Sequence, residues 1–130
     1  MNYWTICQAR CYNEIMRPLY HPPLSEITVE GILYALTDSV RVRIFAGIVG
    51  ANCSMICSNF AQLDDRTIPK STLSVHFKVL RESGLIRSER RGVEVHNSSR
   101  CEEINEKFPG LLESILKSYA VQQQQCEASP

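Results

Sequence analysis

The chain has 130 residues, equal numbers of acidic and basic side chains, and a hydrophobic fraction of 44%. This size and composition suit one globular domain that buries a core without metal or disulfide staples. No apolar run approaches the ~20 residues that span a bilayer, and the first ten residues do not resemble a secretory signal. We therefore expect a cytoplasmic protein without membrane association, in which the six cysteines are reduced thiols.

Three regions of different composition are expected along the chain. Residues 1–23 are expected to form a flexible or extended arm that ends in a proline-rich stretch, and a translation start at Met16 within it is a hypothesis. Residues 24–121 form the folded domain. Residues 122–130, which contain a run of glutamines, form a disordered tail.

Two helices are predicted at the start of the domain from the spacing of apolar residues. The first covers Thr28–Leu36 and the second covers Val40–Val49, with Asp38 placed between them as an N-cap. On the second helix, Arg41 and Arg43 are expected to point toward solvent.

The pattern next predicts a helix at Ser54–Leu63, an exposed turn at 64–67, and a helix at Lys70–Arg81 that begins after Pro69. The buried face of this last helix has helical spacing and consists of Leu73, His76, Phe77 and Leu80. Its opposite face carries small hydroxyls, one aliphatic side chain and two cations: Lys70, Ser71, Thr72, Ser74, Val75 and Lys78. Such a small face indicates that something packs closely against it.

Residues 87–96 predict two short strands around a turn at Arg91-Gly92, with arginines near the tip at Arg87, Arg90 and Arg91. Two more helices follow, one starting at Cys101–Lys107 and one after Pro109. The final helix has an apolar stripe that needs a partner surface: Leu111, Leu112, Ile115, Leu116 and Tyr119.

Positive charge is concentrated in the same part of the chain. Residues 66–100 contain eight basic and three acidic side chains, a net charge of +5, so the rest of the chain has a net charge of −5. A helix, turn, helix and basic hairpin can place the second helix in the DNA major groove and the hairpin along the backbone or minor groove. The order therefore predicts binding of double-stranded DNA through Lys70, Ser71, Thr72, Ser74, Val75, Lys78, Arg87, Arg90 and Arg91.

Two other classes of function compete with DNA binding. A winged-helix domain can instead serve as a protein-interaction module, and a gel-shift assay separates the two functions. An enzyme is not expected, because the sequence has no glycine-rich phosphate loop, no His-Glu-x-x-His motif and no supported Ser/His/Asp grouping.

The run STLSVHFKVLRESGLI at Ser71–Ile86 closely resembles the recognition-helix signature of ArsR/SmtB-type repressors. The run LTDSVRVRIF at Leu36–Phe45 resembles the second-helix signature of the same family. The resemblance covers Thr28 to Tyr119. It implies a mainly α (α+β) winged helix-turn-helix fold of about five helices with a two-stranded β-hairpin wing. It also implies a homodimer, built from the first and last helices, that represses transcription by binding an inverted repeat.

The resemblance raises a soft-metal or arsenite site as one interpretation of the cysteines. Members of the family sense thiophilic metals through a Cys-x-Cys pair on the helix predicted here at Ser54–Leu63. This chain departs from that motif, with Cys53 and Cys57 at positions i and i+4. Some relatives add cysteines from an N-terminal arm, which Cys7 and Cys11 resemble, and four thiolates would suit cadmium, lead or zinc.

Two other interpretations of the cysteines remain open. Cys101 can pair with Cys53 or Cys57 as a dithiol switch, which requires a lowered thiolate pKa, and the adjacent Arg100 is a hint of one. Alternatively, the cysteines are small buried hydrophobes and the regulator has no effector. No cofactor is required in either case.

Overall fold

A computed structural model describes residues 19–51, 55–60, 62–63 and 66–128. The five α-helices found there are α1 Val29–Ala35, α2 Ser39–Ala51, α3 Lys70–Glu82, α4 Cys101–Lys107 and α5 Leu111–Ala128. The strands are β1 Met55–Ile56, β2 Gln62–Leu63, β3 Arg66–Thr67, β4 Ile86–Arg91 and β5 Glu94–Ser99, and 3₁₀ turns occur at Leu24–Glu26 and Cys57–Phe60. The predicted mainly α winged-helix fold, with five helices and a hairpin, is confirmed. Within these ranges, no helix has the length and apolar character to cross a bilayer.

The wing is the hairpin of β4 and β5, and β1 pairs with its β5 edge to give a three-stranded antiparallel sheet in the order β1-β5-β4; β2 and β3 form a separate two-stranded sheet. Strands β4 and β5 pair with Arg91 opposite Glu94, so the loop between them is the dipeptide Gly92-Val93. The turn therefore lies one residue later than predicted. Gly92 has the positive φ of 64° that the first position of a two-residue hairpin turn requires.

The hydrophobic core receives side chains from all five helices and from the first strand of the wing. Its fully buried members include Ile32, Ile44, Phe45, Leu80, Ile86, Ile104 and Leu112. Phe60, in the second 3₁₀ turn, packs at a tilt against Phe77 of α3, with 5.8 Å between the ring centroids. This core fixes α3 against α2 and the wing.

The junction between α1 and α2 is held by side-chain caps. Asp38 caps α2, since its Oδ1 accepts hydrogen bonds from the backbone amides of Val40 at 2.8 Å and Arg41 at 3.3 Å. The prediction that Arg41 points toward solvent is wrong: its side chain is 11% exposed. Its Nε and a terminal guanidinium nitrogen donate to the carbonyls of Ala35 and Tyr34 at the end of α1. The last carbonyls of a helix have no partner within it, and Arg41 supplies donors to these two; the carbonyl of Tyr34 also accepts from the amide and the hydroxyl of Thr37.

The predicted helix at Ser54–Leu63 is wrong. The described residues of this segment form β1, the 3₁₀ turn Cys57–Phe60 and β2. Cys, Ser and Asn are weak α-helix formers, whereas the backbone of Met55–Ile56 gains hydrogen bonds by pairing with Asn97 and His96 of β5. Pairing with the wing therefore outweighs the weak helical periodicity.

The predicted disordered tail at 122–130 is also wrong over most of its length, because α5 continues to Ala128. Glutamine has good helix propensity, and Gln122 and Gln123 line a groove of about 540 Å³ between α5 and the α1–α2 junction. At the other end of the domain, residues 19–23 have no regular secondary structure, and Pro23 has extended backbone angles; residues 1–18, and with them Met16, lie outside the described residues.

The turn between α3 and β4 is a Schellman motif centred on Gly84. The amide of Leu85 donates to the carbonyl of Leu80 and the amide of Gly84 donates to that of Arg81, both at 3.1 Å. Gly84 has a φ of 89°, and a Cβ there would overlap the side chain of Ile27. Glycine is therefore required both by the backbone angle and by the neighbouring side chain.

Candidate nucleic-acid interface

Helix α3 presents two chemically different faces. The buried face consists of Leu73, Phe77 and Leu80, with His76 half-buried at its edge. Side chains on the opposite face are all exposed: Lys70, Ser71, Thr72, Ser74, Val75 and Lys78. The structure thus brings together on one helix surface the six α3 residues that sequence reasoning singled out for DNA.

Arg41 links α3 to the rest of the domain. Its NH1 atom lies 3.5 Å from Nδ1 of His76 on α3 and 3.9 Å from a carboxylate oxygen of Asp38. Although burial opposes it, hydrogen bonds from the amides of Val40 and Arg41 hold the pKa of Asp38 below its usual value. One guanidinium therefore connects the end of α1, the start of α2 and the edge of α3.

The wing arginines are exposed, but they are not all at the tip. Arg90 and Arg91 end β4, whereas Arg87 lies opposite Ser98 at the base of the hairpin, which corrects the expectation for that residue. Arg91 forms an ion pair with Glu89 at 3.2 Å. Because a strand advances about 3.3 Å per residue, Arg87 lies more than 10 Å along β4 from Arg91.

Glu103 of α4 forms ion pairs with Arg100 and Arg87, which sequence reasoning missed. Its carboxylate accepts from Nε of the buried Arg100 at 2.6 Å and lies 3.4 Å from the guanidinium of Arg87. The hydrogen bond from Arg100, reinforced by the charges of both arginines, lowers the pKa of Glu103. The i, i+3 spacing of Arg100 and Glu103 was the available signal. Any phosphate that contacts Arg87 competes with this carboxylate.

The wing is anchored to the chain that precedes the domain. Nε2 of His21 accepts a hydrogen bond from the amide of Ser88 at 2.9 Å, and the Ser88 hydroxyl donates to Oδ1 of the fully buried Asn97 at 2.7 Å. Burial, followed by the charges of Arg87, Arg81 and Arg100, lowers the pKa of the His21 imidazole. A neutral imidazole is the form that can accept this bond.

Most of the candidate sensing residues are untested. Cys7, Cys11 and Cys53 lie outside the described residues, as does the side chain of Cys57. The helix on which an i, i+4 thiolate pair was expected is replaced by β1 and a 3₁₀ turn. Among the described residues, no group of three or more His, Cys, Asp or Glu is placed to hold a metal ion.

Cys101 does not have the lowered pKa that a dithiol switch requires. Burial raises the pKa of this half-buried thiol, against a smaller opposing effect from a hydrogen bond with Ser99. The neighbouring guanidinium of Arg100 bonds to Glu103 and to the carbonyl of Pro22. The hint taken from Arg100 has no support in these contacts, and the dithiol switch stays a prediction because Cys53 and the side chain of Cys57 lie outside the described residues.

Two solved structures share this fold. One, described as an ArsR family transcriptional regulator, is 20% identical with a TM-score of 0.50, over 78% of this chain and 98% of its own. The other, an ArsR-like transcriptional regulator from Rhodococcus sp. RHA1, is 19% identical with a TM-score of 0.50, over 76% of this chain and 86% of its own. No protein-family model and no curated protein matches the sequence. The likeness is one of fold.

Proposed function

We propose that this chain, which has the winged helix-turn-helix fold of ArsR family transcriptional regulators, is a sequence-specific DNA-binding regulator of transcription. The observation that carries the proposal is the exposed face of α3, where small hydroxyls lie between Lys70 and Lys78. Short side chains let a helix approach base edges closely, and hydroxyls can donate to or accept from those edges.

The cations on this surface supply affinity, and the α3 hydroxyls supply sequence preference. Lys70, Lys78 and the exposed arginines of the wing can neutralise phosphates along the duplex. The net charge of +5 in residues 66–100 favours this contact, while the acidic remainder opposes indiscriminate binding to polyanions.

The regulator acts, in this proposal, as a homodimer that binds an inverted repeat and represses transcription. Support for a dimer comes from the groove of about 540 Å³ beside α5, whose lining includes the half-buried side chains of Ile115 and Tyr119. Leu33 and Tyr34 of α1 are also exposed. Two copies related by a twofold axis would contact half-sites about 34–36 Å apart. A monomer in light scattering at micromolar concentration would exclude this arrangement.

The test of DNA binding is a gel shift with the region upstream of the chain's own gene, followed by selection of bound sequences from a random DNA pool. Binding is then measured across a salt series for Lys78→Ala and for Lys117→Ala as a matched control. Lys117 is an exposed cation on α5 that pairs with Glu113. Losing one phosphate contact per copy should reduce the slope of log affinity against log salt by about 0.9 for each copy bound.

The outcomes separate the candidate functions. A smaller slope for Lys78→Ala than for the control supports the proposal. No retained DNA, with the folded chain capturing a protein partner instead, supports the interaction module.

A soft-metal or thiol-reactive effector is a separate proposal, and addition of cadmium, arsenite or peroxide to the protein–DNA complex tests it. If none of the three releases the DNA, the regulator does not respond to these effectors.

A further inference from the structure

Val75 is the exposed aliphatic side chain at the centre of the α3 face. Its side chain is 57% exposed, although Leu73 and Phe77 two residues away on either side are buried. At 100° per residue, Ser71, Thr72 and Lys78 are its neighbours on the helix surface, at positions i−4, i−3 and i+3, while Val79 at i+4 is half-buried against the core. An apolar patch the size of one isopropyl group therefore lies among hydroxyls and a cation.

Helix stability does not explain this valine. A β-branched residue at an exposed helical position has a lower helix propensity than alanine, lysine or glutamate. The core residues of α3 lie on its opposite face, and Val75, at 57% exposed, is not one of them. A contact with a partner gives the side chain a role that folding does not.

The other side chains of α3 limit which features of a DNA base pair this helix can recognise. An A·T pair shows two distinctive features in the major groove: the adenine edge, which Asn or Gln contacts in a bidentate way, and the thymine C5 methyl, which an apolar side chain contacts. Helix α3 contains no Asn and no Gln. Its one arginine, Arg81, is partly buried in the last turn, with its Nε atom fully covered.

We propose that Val75 is a specificity-determining residue that recognises the C5 methyl group of a thymine in the DNA half-site. This inference rests on the proposed DNA-binding function and deepens it by naming the feature that is read. The isopropyl group contacts the methyl, while Ser71 and Thr72 bond to neighbouring base edges and Lys78 contacts phosphate or a guanine. Thymine is thereby distinguished from cytosine and from uracil.

The test replaces thymine with deoxyuridine, one position at a time, in a DNA sequence selected from a random pool by the full chain. This exchange deletes the C5 methyl and leaves the hydrogen-bonding edge unchanged. At one thymine of each half-site, the chain should lose about fourfold in affinity, which corresponds to ~0.8 kcal/mol for one buried methyl-sized group. The variant Val75→Ala should show almost no loss at the same position.

Val93→Ala is the matched control, because Val93 is a fully exposed valine at the tip of the wing. This control should retain the fourfold discrimination. Circular dichroism should show both variants folded, since alanine is a stronger helix former than valine at position 75. Combining Val75→Ala in the protein with deoxyuridine in the DNA measures the interaction between one side chain and one methyl group.

Failure of the inference and failure of the proposed function give different results. If no sequence is enriched from the pool, DNA binding itself fails. If a sequence is enriched but no thymine position distinguishes the wild-type chain from Val75→Ala, the chain binds DNA and the role of Val75 is refuted. Equal discrimination by Val75→Ala and the wild-type chain would also refute it.

Discussion

Substitution of Gly84 by alanine tests whether the turn between α3 and the wing is as constrained as the structure indicates. Two costs combine at this position. The φ of 89° is one that a residue with a Cβ adopts at a cost of about 1–2 kcal/mol. A Cβ would also overlap Cδ1 of Ile27 and lie 2.6 Å from its Cγ1, and overpacking of this kind costs about 1–3 kcal/mol.

The expected result for Gly84→Ala is a loss of roughly 2–5 kcal/mol in the free energy of unfolding. At about 4–8 °C per kcal/mol for a domain of this size, the Tm should fall by at least about 8 °C. Urea unfolding should shift to a lower midpoint with an unchanged m value, because the surface exposed on unfolding is nearly the same.

Gly92→Ala is the matched control, since Gly92 has a φ of 64° but open space around its Cβ position. It should cost only the backbone part, about 1–2 kcal/mol. In the Gly84→Ala background, Ile27→Val removes the Cδ1 atom and should recover at least about 0.5 kcal/mol relative to additivity. Equal losses for the two glycine variants, or strict additivity with Ile27→Val, would refute the close packing of Gly84 against Ile27.

Three further predictions concern charged and polar contacts. Because the folded pKa of His21 is lowered, its contribution to stability is complete above the unfolded pKa of about 6.5 and is lost as the pH falls below that value. Urea midpoints measured from pH 8 to 5 should show this loss for the wild type and not for His21→Gln, whose amide oxygen can still accept the hydrogen bond from Ser88. An identical pH profile for the two proteins would exclude the link. Asp38→Ala should destabilise the domain by about 1 kcal/mol through loss of the α2 cap. Asp38→Asn can still cap the helix, so it should lose less stability when the two variants are compared by thermal melting. Equal losses for the two variants would argue against capping. Glu103→Gln removes the carboxylate that competes for Arg87 and should raise DNA affinity about twofold in a low-salt gel shift, because an exposed ion pair contributes ~0.2–1 kcal/mol of interaction free energy. Weaker DNA binding by a variant with unchanged Tm would contradict this prediction.

Helix α3 and the hairpin were predictable because several local signals agree there. Pro69 suits the helix start, the apolar spacing defines one face, and Gly84 ends the helix. The predicted helix Lys70–Arg81 differs from the observed one by a single residue. Consistency between composition, periodicity and turn residues is what makes such a segment readable from sequence alone.

Contacts between distant parts of the chain were not predictable in this way. The helix expected at Ser54–Leu63 is lost because Met55 and Ile56 pair with a strand about forty residues later, and helical periodicity carries no information about that partner. Arg41 has the spacing of a solvent-facing residue, yet its guanidinium satisfies carbonyls at the end of another helix. The bond from Ser88 to His21 spans 67 residues. Long-range pairing overrode the local pattern at Met55–Ile56. The Arg41 bonds reach carbonyls only six and seven residues earlier but on a different helix, and the Ser88–His21 bond has no signal in the local sequence.

The pairing of β1 with β5 has a mechanical consequence for the proposed association with a DNA duplex. Met55 lies opposite Asn97, and the side chain of Asn97 accepts a hydrogen bond from Ser88 on β4, so the backbone preceding the Cys57–Phe60 turn and both wing strands belong to one hydrogen-bonded sheet, which we expect to move as one stiff unit. A stiff unit that meets a ligand in its final shape has little ordering entropy to lose and needs no slow rearrangement step. For the same reason, we expect a displacement imposed at residues 55–56 to move the whole hairpin with it, rather than to be absorbed within a loop.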